Sequence, residues 1–523
     1  MLARVTSYLL VGIDAQPCEI EVDCNPDDFP NEKRSPAIVV GLPDTSVKES
    51  IERVRAAVDN SGFRFPVTQI VINLAPADVR KEGAVYDLPI AIGVLMTTGQ
   101  LPTGAPPGGA APSPGDDLLD PRSLFFAGEL ALDGRVRPVK GAIALAALAK
   151  QRHFRGIVIP ADNADEAAVV PGVEVYGVRT LTEVVGLLRG ELDLPPRPTP
   201  DVASLLSTAP APVDFADVRG QEAVKRALMI AAAGGHNLLM LGPAGTGKTM
   251  MAKALPGILP PLTVDEALEV TRVYSAAGAL PPGQGLITNR PVRAPHHTAS
   301  SPAIVGGGMV PRPGEVSLAH HGVLFLDELP EFPRYVLETL RQPLEDHVVT
   351  IARAHGAVRF PTSIMLVAAM NPTPKGDVAP GEVGRRAMEQ YLARLSGPLL
   401  DRIDMHVEAP AVPWKQLSEA PRGTTTDQMR TQVLAARARQ ANRQGERTPK
   451  ARLSGRQLDE LAPLDERSRT LLGNALSELG LSARAYDKIR RVARTIADLD
   501  GQEALGMAHV SEAVGYRLLD RKV

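Results

Sequence analysis

A chain of 523 residues is long enough for about three domains, each able to bury its own core. Its net charge of −3 excludes a globally basic nucleic-acid-binding surface, and 4% aromatic residues argue against base stacking as a main binding mode, so any polynucleotide contact must come from local patches. Cys18 and Cys24 are too few for a disulfide framework, residues 1–12 lack the pattern of a secretory leader, and no run reaches the ~20 apolar residues of a membrane span; a cytoplasmic protein without membrane contact is expected.

Residues 1 to about 190 alternate strand and helix signals. Apolar runs at 37–42 and 69–74 read as strands, with a helix over 44–61 between them. The Pro- and Gly-rich run 101–122 reads as a flexible surface insertion, and residues 128–141 as a hairpin, followed by an Ala-rich helix. This hairpin and the segment 86–91 resemble the proteolytic domain of Lon-type ATP-dependent proteases, which activate a serine with a lysine. In this chain the serine position falls at Ile90 and the lysine position at Ile143, neither of which can do that chemistry, and nearby Lys140 has no matched serine. The resemblance therefore implies a scaffold or regulatory domain, inactive as a protease. The Pro-rich stretch 191–215 reads as an interdomain linker.

The next segment carries the clearest chemistry. Gly242-Pro243-Ala244-Gly245-Thr246-Gly247-Lys248-Thr249 reads G-x-x-x-x-G-K-T between an apolar run, 237–241, and a helical pattern over 250–259. In that setting, glycine-freed backbone N–H groups and a helix N-terminus cradle phosphates, Lys248 reaches the β- and γ-phosphates, and Thr249 holds Mg²⁺. A second apolar strand, 322–326, ends in Asp327 and Glu328. Alternation along a strand sends the two carboxylates different ways, Asp327 toward the metal and Glu328 toward an attacking water. A third, 364–370, delivers Asn371 to the same edge, to hold that water or to cap the following turn.

Two insertions interrupt this core. Residues 293–321 hold the pairs His296-His297 and His320-His321 around a Gly306-Gly307-Gly308 hinge. Adjacent histidines diverge and no cysteine completes a zinc set, so a loop at a subunit interface or pore is expected. Residues 347–360 read as a hairpin with Arg353, His355 and Arg359 at or near its tip, or as a plain sheet extension. The remainder, 414–523, is helical and carries 20 Lys and Arg against 14 Asp and Glu. Arg430, Arg437, Arg439 and Arg443 there form a solvated face or a phosphate-contacting one.

Residues 217–221 resemble the adenine-side segment of AAA+ ATPases. With the loop at Gly242, Asp327-Glu328, the segment 395–404 and Ser482-Ala483-Arg484, nearly the whole chain resembles the magnesium-chelatase-like AAA+ ATPases of the YifB/ComM type. That resemblance implies an α/β fold: a Lon-protease-like (ribosomal S5 domain 2-like) α+β domain at 1–190, the linker, an AAA+ P-loop ATPase core at 216–413 and a helical lid domain at 414–523. It implies ATP and Mg²⁺ as cofactors, Arg402 as an arginine finger acting on a neighbouring subunit, and Arg484 as a second sensor reaching the γ-phosphate from the lid. It further implies self-assembly into a ring, a hexamer in expectation, and a DNA helicase or branch-migration role on single-stranded or forked DNA. Relatives carry cysteines after the sensor Asn where this chain has Thr373-Pro374-Lys375-Gly376, so no structural zinc is expected. A metal-chelatase ATPase subunit, against which the Lon-like domain argues, and a protein-remodelling chaperone are the rival readings.

Overall fold

The structure is a computed structural model describing residues 1–25, 37–102, 119–207, 213–281, 283–308, 310–353, 356–373, 382–413, 423–445, 452–517 and 519. His355 and residues 374–376 lie outside them. The chain forms two compact units, Met1–Ala203 with Ala267–Ile287, and Ser204–Glu266 with Thr288–Val523.

In the first unit a seven-stranded mixed sheet has the order Ala37–Val40, Ile70–Ala75, Asp14–Cys24, Leu2–Val11, Leu124–Phe126, Gly156–Pro160, Glu174–Val178. Strict alternation in Asp14–Cys24 buries Cys18, Ile20, Val22 and Cys24 on one face. Helix Thr45–Asn60 begins where the Asp44 carboxylate accepts the Val47 N–H at 2.7 Å. Helix Asp87–Thr97 is apolar all round and every one of its residues is buried. Ile90 lies in it and Ile143 in helix Ala142–Gln151, 0% and 1% exposed, so both are core packing. The hairpin expected at 128–141 forms, with Glu129 opposite Arg137 and Leu130 opposite Val136.

The structure adds two details at these boundaries. The stretch 191–215 contains a helix, Val202–Ser207, with Val202 and Leu206 buried. Residues 267–287 group with the first unit. There the Ser275 hydroxyl accepts the Gly141 N–H at 2.9 Å and bonds the buried Glu166 carboxylate, and Arg272 pairs with Asp14. Burial pushes the Glu166 carboxyl above its ordinary range, opposed by its hydrogen bond from Ser275. Sequence periodicity sees a helix here but cannot see which core it joins.

The second unit is built on a five-stranded all-parallel sheet, ordered Val292–Arg293, Val323–Leu326, Met365–Met370, Leu238–Leu241, Met405–Glu408. Its central strands are buried on both faces, which is why they read as unbroken apolar runs. The phosphate-loop helix starts at Lys248, earlier than expected, and gives way after Ala254 to a 3-10 turn at Leu255–Gly257, because Pro256 has no N–H to continue it. Helices Thr426–Gln444, Gly455–Leu461, Glu466–Glu478, Ala483–Leu499 and Met507–Gly515 follow. They share one apolar core with the sheet, Val433, Ala436, Ile489 and Ile496 packing in the same cluster as Leu228, Leu238 and Met240, so the helical region is continuous with the ATPase core.

Candidate active site

In a parallel sheet the carboxyl ends of the strands share an edge, and ligands bind there. Leu241, Leu326 and Met370 end three neighbouring strands, which brings Gly242–Thr249, Asp327-Glu328 and Asn371 together. The Thr249 hydroxyl donates to Asp327 Oδ2 at 2.7 Å. A hydroxyl and a carboxylate so placed are a hard-oxygen pair that fits Mg²⁺, an ion held by one or two protein oxygens with phosphates and water completing its octahedron. Lys248 Nζ donates to Gly242 O at 2.7 Å, to Pro243 O at 2.8 Å and to Asn371 Oδ1 at 3.2 Å. Burial holds this ammonium below its ordinary range, with Asp327 opposing. A cation and an amide are thus held together at one sheet edge, beside the Thr249–Asp327 pair.

The loop's residues divide the work. Gly245 and Gly247 stand at φ +81 and +84 with open space around them, the conformation that turns N–H groups inward. Gly242 is needed for a different reason: Ala409 O would lie 2.1 Å from a Cβ there. Thr246 Oγ1 donates to Pro243 O at 3.0 Å and closes the loop on itself, while Ala244 at the tip is exposed. Gln221, which sequence reading did not single out, donates to Thr246 O at 3.4 Å and to Pro410 O at 2.7 Å, bracing the loop from the 217–221 segment. Its only sequence signal was its place after Gly220, in a turn that both residues enter with positive φ.

Glu328 is left-handed, φ 52 and ψ 46, a conformation that costs a side-chain-bearing residue ~1–2 kcal/mol and aims its carboxylate away from Asp327's course. His297 Nδ1 lies 3.3 Å from Glu328 Oε2, its ring stacked on His296 and edge-on to Phe332. The histidine loop expected at an interface or pore thus reaches the candidate base. His320 accepts the Ser363 N–H at 2.9 Å.

Arg402 and Arg484 lie close together. Arg402 Nη2 bonds Glu345 Oε2 at 2.6 Å and Arg484 Nη1 lies 3.3 Å from Asp401 Oδ2. Helix Ala483–Leu499, which carries Arg484, docks on the 401–404 turn through Lys488, which donates to Asp401 O and Ile403 O. The hairpin at 347–360 forms as Val348–Arg353 and Gly356–Pro361. Arg353 pairs with Gly356 and Arg359 with Thr350, three rungs apart, so an odd spacing puts the two positions on opposite faces of the ribbon; Arg359 is exposed. The four arginines of helix Thr426–Gln444 each meet a group of this chain, with Arg439 still exposed. Arg430 donates to Gly257 O, Arg437 to Ala232 O, Arg439 to Asp498 O, and Arg443 pairs with the Asp498 carboxylate.

A G-x-x-x-x-G-K-T loop whose lysine meets an Asn amide, beside a Thr–Asp pair on one parallel-sheet edge and with a helical region after it, is the arrangement of an AAA+ P-loop ATPase. Models of magnesium chelatase subunit ChlI match residues 214–417 and 28–163, and a model of its C-terminal part matches 423–517. The chain is 43% identical to the competence protein ComM of Haemophilus influenzae and 42% identical to the uncharacterized protein YifB of Escherichia coli, each over 99% of this chain and 98% of the relative. It is 40% identical to an uncharacterized protein of Mycobacterium tuberculosis over the same shares. It belongs to the magnesium-chelatase-like AAA+ family of the YifB/ComM type. Because the match at 28–163 itself carries a chelatase subunit's name, the first domain does not separate this chain from chelatases as expected above. Among the described residues no helix is long and apolar enough to cross a membrane.

Proposed function

We propose that this protein is a ring motor that hydrolyses ATP with Mg²⁺ and uses the cycle to move DNA, as a helicase or branch-migration factor in recombination or natural transformation. The observation that carries the ATPase half is the convergence of Lys248, Thr249, Asp327 and Asn371 on one sheet edge. Bound there, Mg²⁺ would neutralise charge on the β- and γ-phosphates. Lys248 leaves its loop carbonyls for the phosphates, Asn371 orients the attacking water, and Glu328 takes that water's proton. Arg402 and Arg484, clustered on Asp401 and Glu345, form the face that completes a neighbouring subunit's site, which is why the working form is a ring, a hexamer in this reading. The DNA half is supported by the exposed Arg359 on a two-stranded ribbon and by the competence name of one relative.

An ATPase assay beside a fork-displacement assay tests both halves. Single-stranded or forked DNA should raise the ATPase rate, and labelled strand should be displaced only with ATP. ATP turnover that DNA leaves untouched, with no displacement, would transfer the case to a protein-remodelling chaperone.

A further inference from the structure

An arginine finger must protrude to work, and Arg402 does not. Its side chain is 13% exposed, against 68% for Arg484. Nη2 is bound to Glu345 at 2.6 Å and Nη1 to Pro398 O at 2.8 Å. These bonds take two of the guanidinium's five N–H donors and hold the group against its own chain, so it is not presented outward to fork a phosphate on a neighbour. The folded-back state is incompletely satisfied, however, because Arg402 Nε is buried without an acceptor among the described residues. That lowers the cost of leaving it.

Glu345 is the other half of this contact, and its own side chain is 61% exposed. Arg402 and, at longer range, Arg484 and Arg341 hold its carboxyl below the ordinary range. It sits one residue from the end of helix Arg341–Asp346; His347 follows in a left-handed turn at φ 56, and the ribbon strand Val348–Arg353 begins at once. A displacement of the ribbon therefore reaches Glu345 through two residues.

We propose that Glu345 is a positioning residue that stows Arg402 against its own subunit and releases it to the neighbour's γ-phosphate when the ribbon is displaced by bound substrate. The proposal rests on the reading of Arg402 as the finger. Substrate contact on one subunit would in this way license hydrolysis in the next, with no residue of the nucleotide pocket itself moved by substrate.

The test uses the full-length protein at saturating ATP and Mg²⁺, with and without a single-stranded oligonucleotide, comparing wild type, Glu345→Gln, Glu345→Asp, Arg402→Ala and the double variant Glu345→Gln/Arg402→Ala. Glu345→Gln should raise kcat without DNA by about two- to five-fold, the scale of a partly exposed ion pair, with KM within about a factor of two. Its stimulation by the oligonucleotide should fall toward unity. Glu345→Asp, which keeps the charge, should return toward wild type, and the double variant should be as slow as Arg402→Ala. Wild-type kcat in Glu345→Gln overturns the proposal, and so does a lowered kcat at unchanged KM, which would mean that Glu345 presents the finger instead of withholding it. If Arg402→Ala itself hydrolysed ATP at the wild-type rate, the finger reading would fall first, a result distinguishable from either.

Discussion

Two glycines of one motif should fail for two different reasons. Gly242 ends the strand Leu238–Leu241, with its N–H on Met370 O at 3.2 Å and the adjacent Leu241 O accepting Ala409 N–H at 2.7 Å. A Cβ at 242 would lie 2.1 Å from Ala409 O and 3.0 Å from its carbon, both backbone atoms fixed by the sheet. Overpacking of this kind costs ~1–3 kcal/mol, and a backbone obstacle puts Gly242→Ala at the upper end. At about 2–4 °C per kcal/mol for a domain of this order, the melting temperature should fall by about 5–10 °C. Gly247→Ala meets no atom within 4 Å, but its φ of +84 costs a side chain ~1–2 kcal/mol and the relaxed loop turns its N–H groups away from phosphate. Thermal denaturation with and without ATP and Mg²⁺ separates the two. Ligand at about 100 times Kd adds ~2.7 kcal/mol, a rise that Gly242→Ala should keep and Gly247→Ala should lose. A Gly242→Ala protein as stable as wild type that has lost the ATP-induced rise would refute the packing argument.

Lys248→Ala should abolish nucleotide binding, whereas Glu328→Gln should bind ATP and hold it unhydrolysed; filter binding and phosphate release distinguish them, and wild-type turnover in Glu328→Gln would remove that residue from the mechanism. Arg402→Ala should bind ATP but lose roughly 10³-fold or more in hydrolysis; mixing it with Lys248→Ala should recover some activity, since a mixed ring contains interfaces with both parts intact, and no recovery in rings that still form counts against a trans arginine. Burial, with Arg452 nearby, lowers the His347 pKa to about 4, and burial also lowers that of His406. Both are neutral in the folded state while the unfolded chain takes up protons from about pH 6.5 downward, so stability should fall between about pH 6.5 and 4 and stay flat above pH 7; replacing His347 by Gln should flatten that slope in urea titrations. Arg359→Ala should reduce the salt dependence of DNA binding by about one phosphate equivalent, since the ribbon's register gives position 353 the opposite face; a slope unchanged by the substitution would take Arg359 off the DNA.

The parts of the site that could be read in advance are those whose chemistry is local. Eight consecutive residues specify the phosphate loop, and an apolar run ending in Asp327-Glu328 specifies the strand beside it, because strand, turn and helix start are short-range events. The contact of His297 with Glu328 joins residues from different loops, and no spacing rule marks it. Arg437 and Arg443 misled for a related reason. Arginine on a helix suggests solvent, yet these arms cross to Ala232 O and Asp498, and only the packing of two distant helices creates those acceptors. The contact of Arg484 with Asp401 has the same origin, being set by where a whole helix docks.

The path of the backbone has a consequence for anyone wishing to take the protein apart. The chain passes between the two units at residues 203–204, 266–267 and 287–288. A deletion ending in the Pro-rich stretch would leave Ser275 without Glu166 and Arg272 without Asp14, so the shortened motor should lose stability even with its nucleotide pocket complete. Conversely, a protease nick in that stretch should yield two fragments that copurify. Recombination between genes faces the same obstacle: a first unit exchanged for one from a distant relative would have to bring its own version of 267–287 with it, so the two parts are expected to be inherited together.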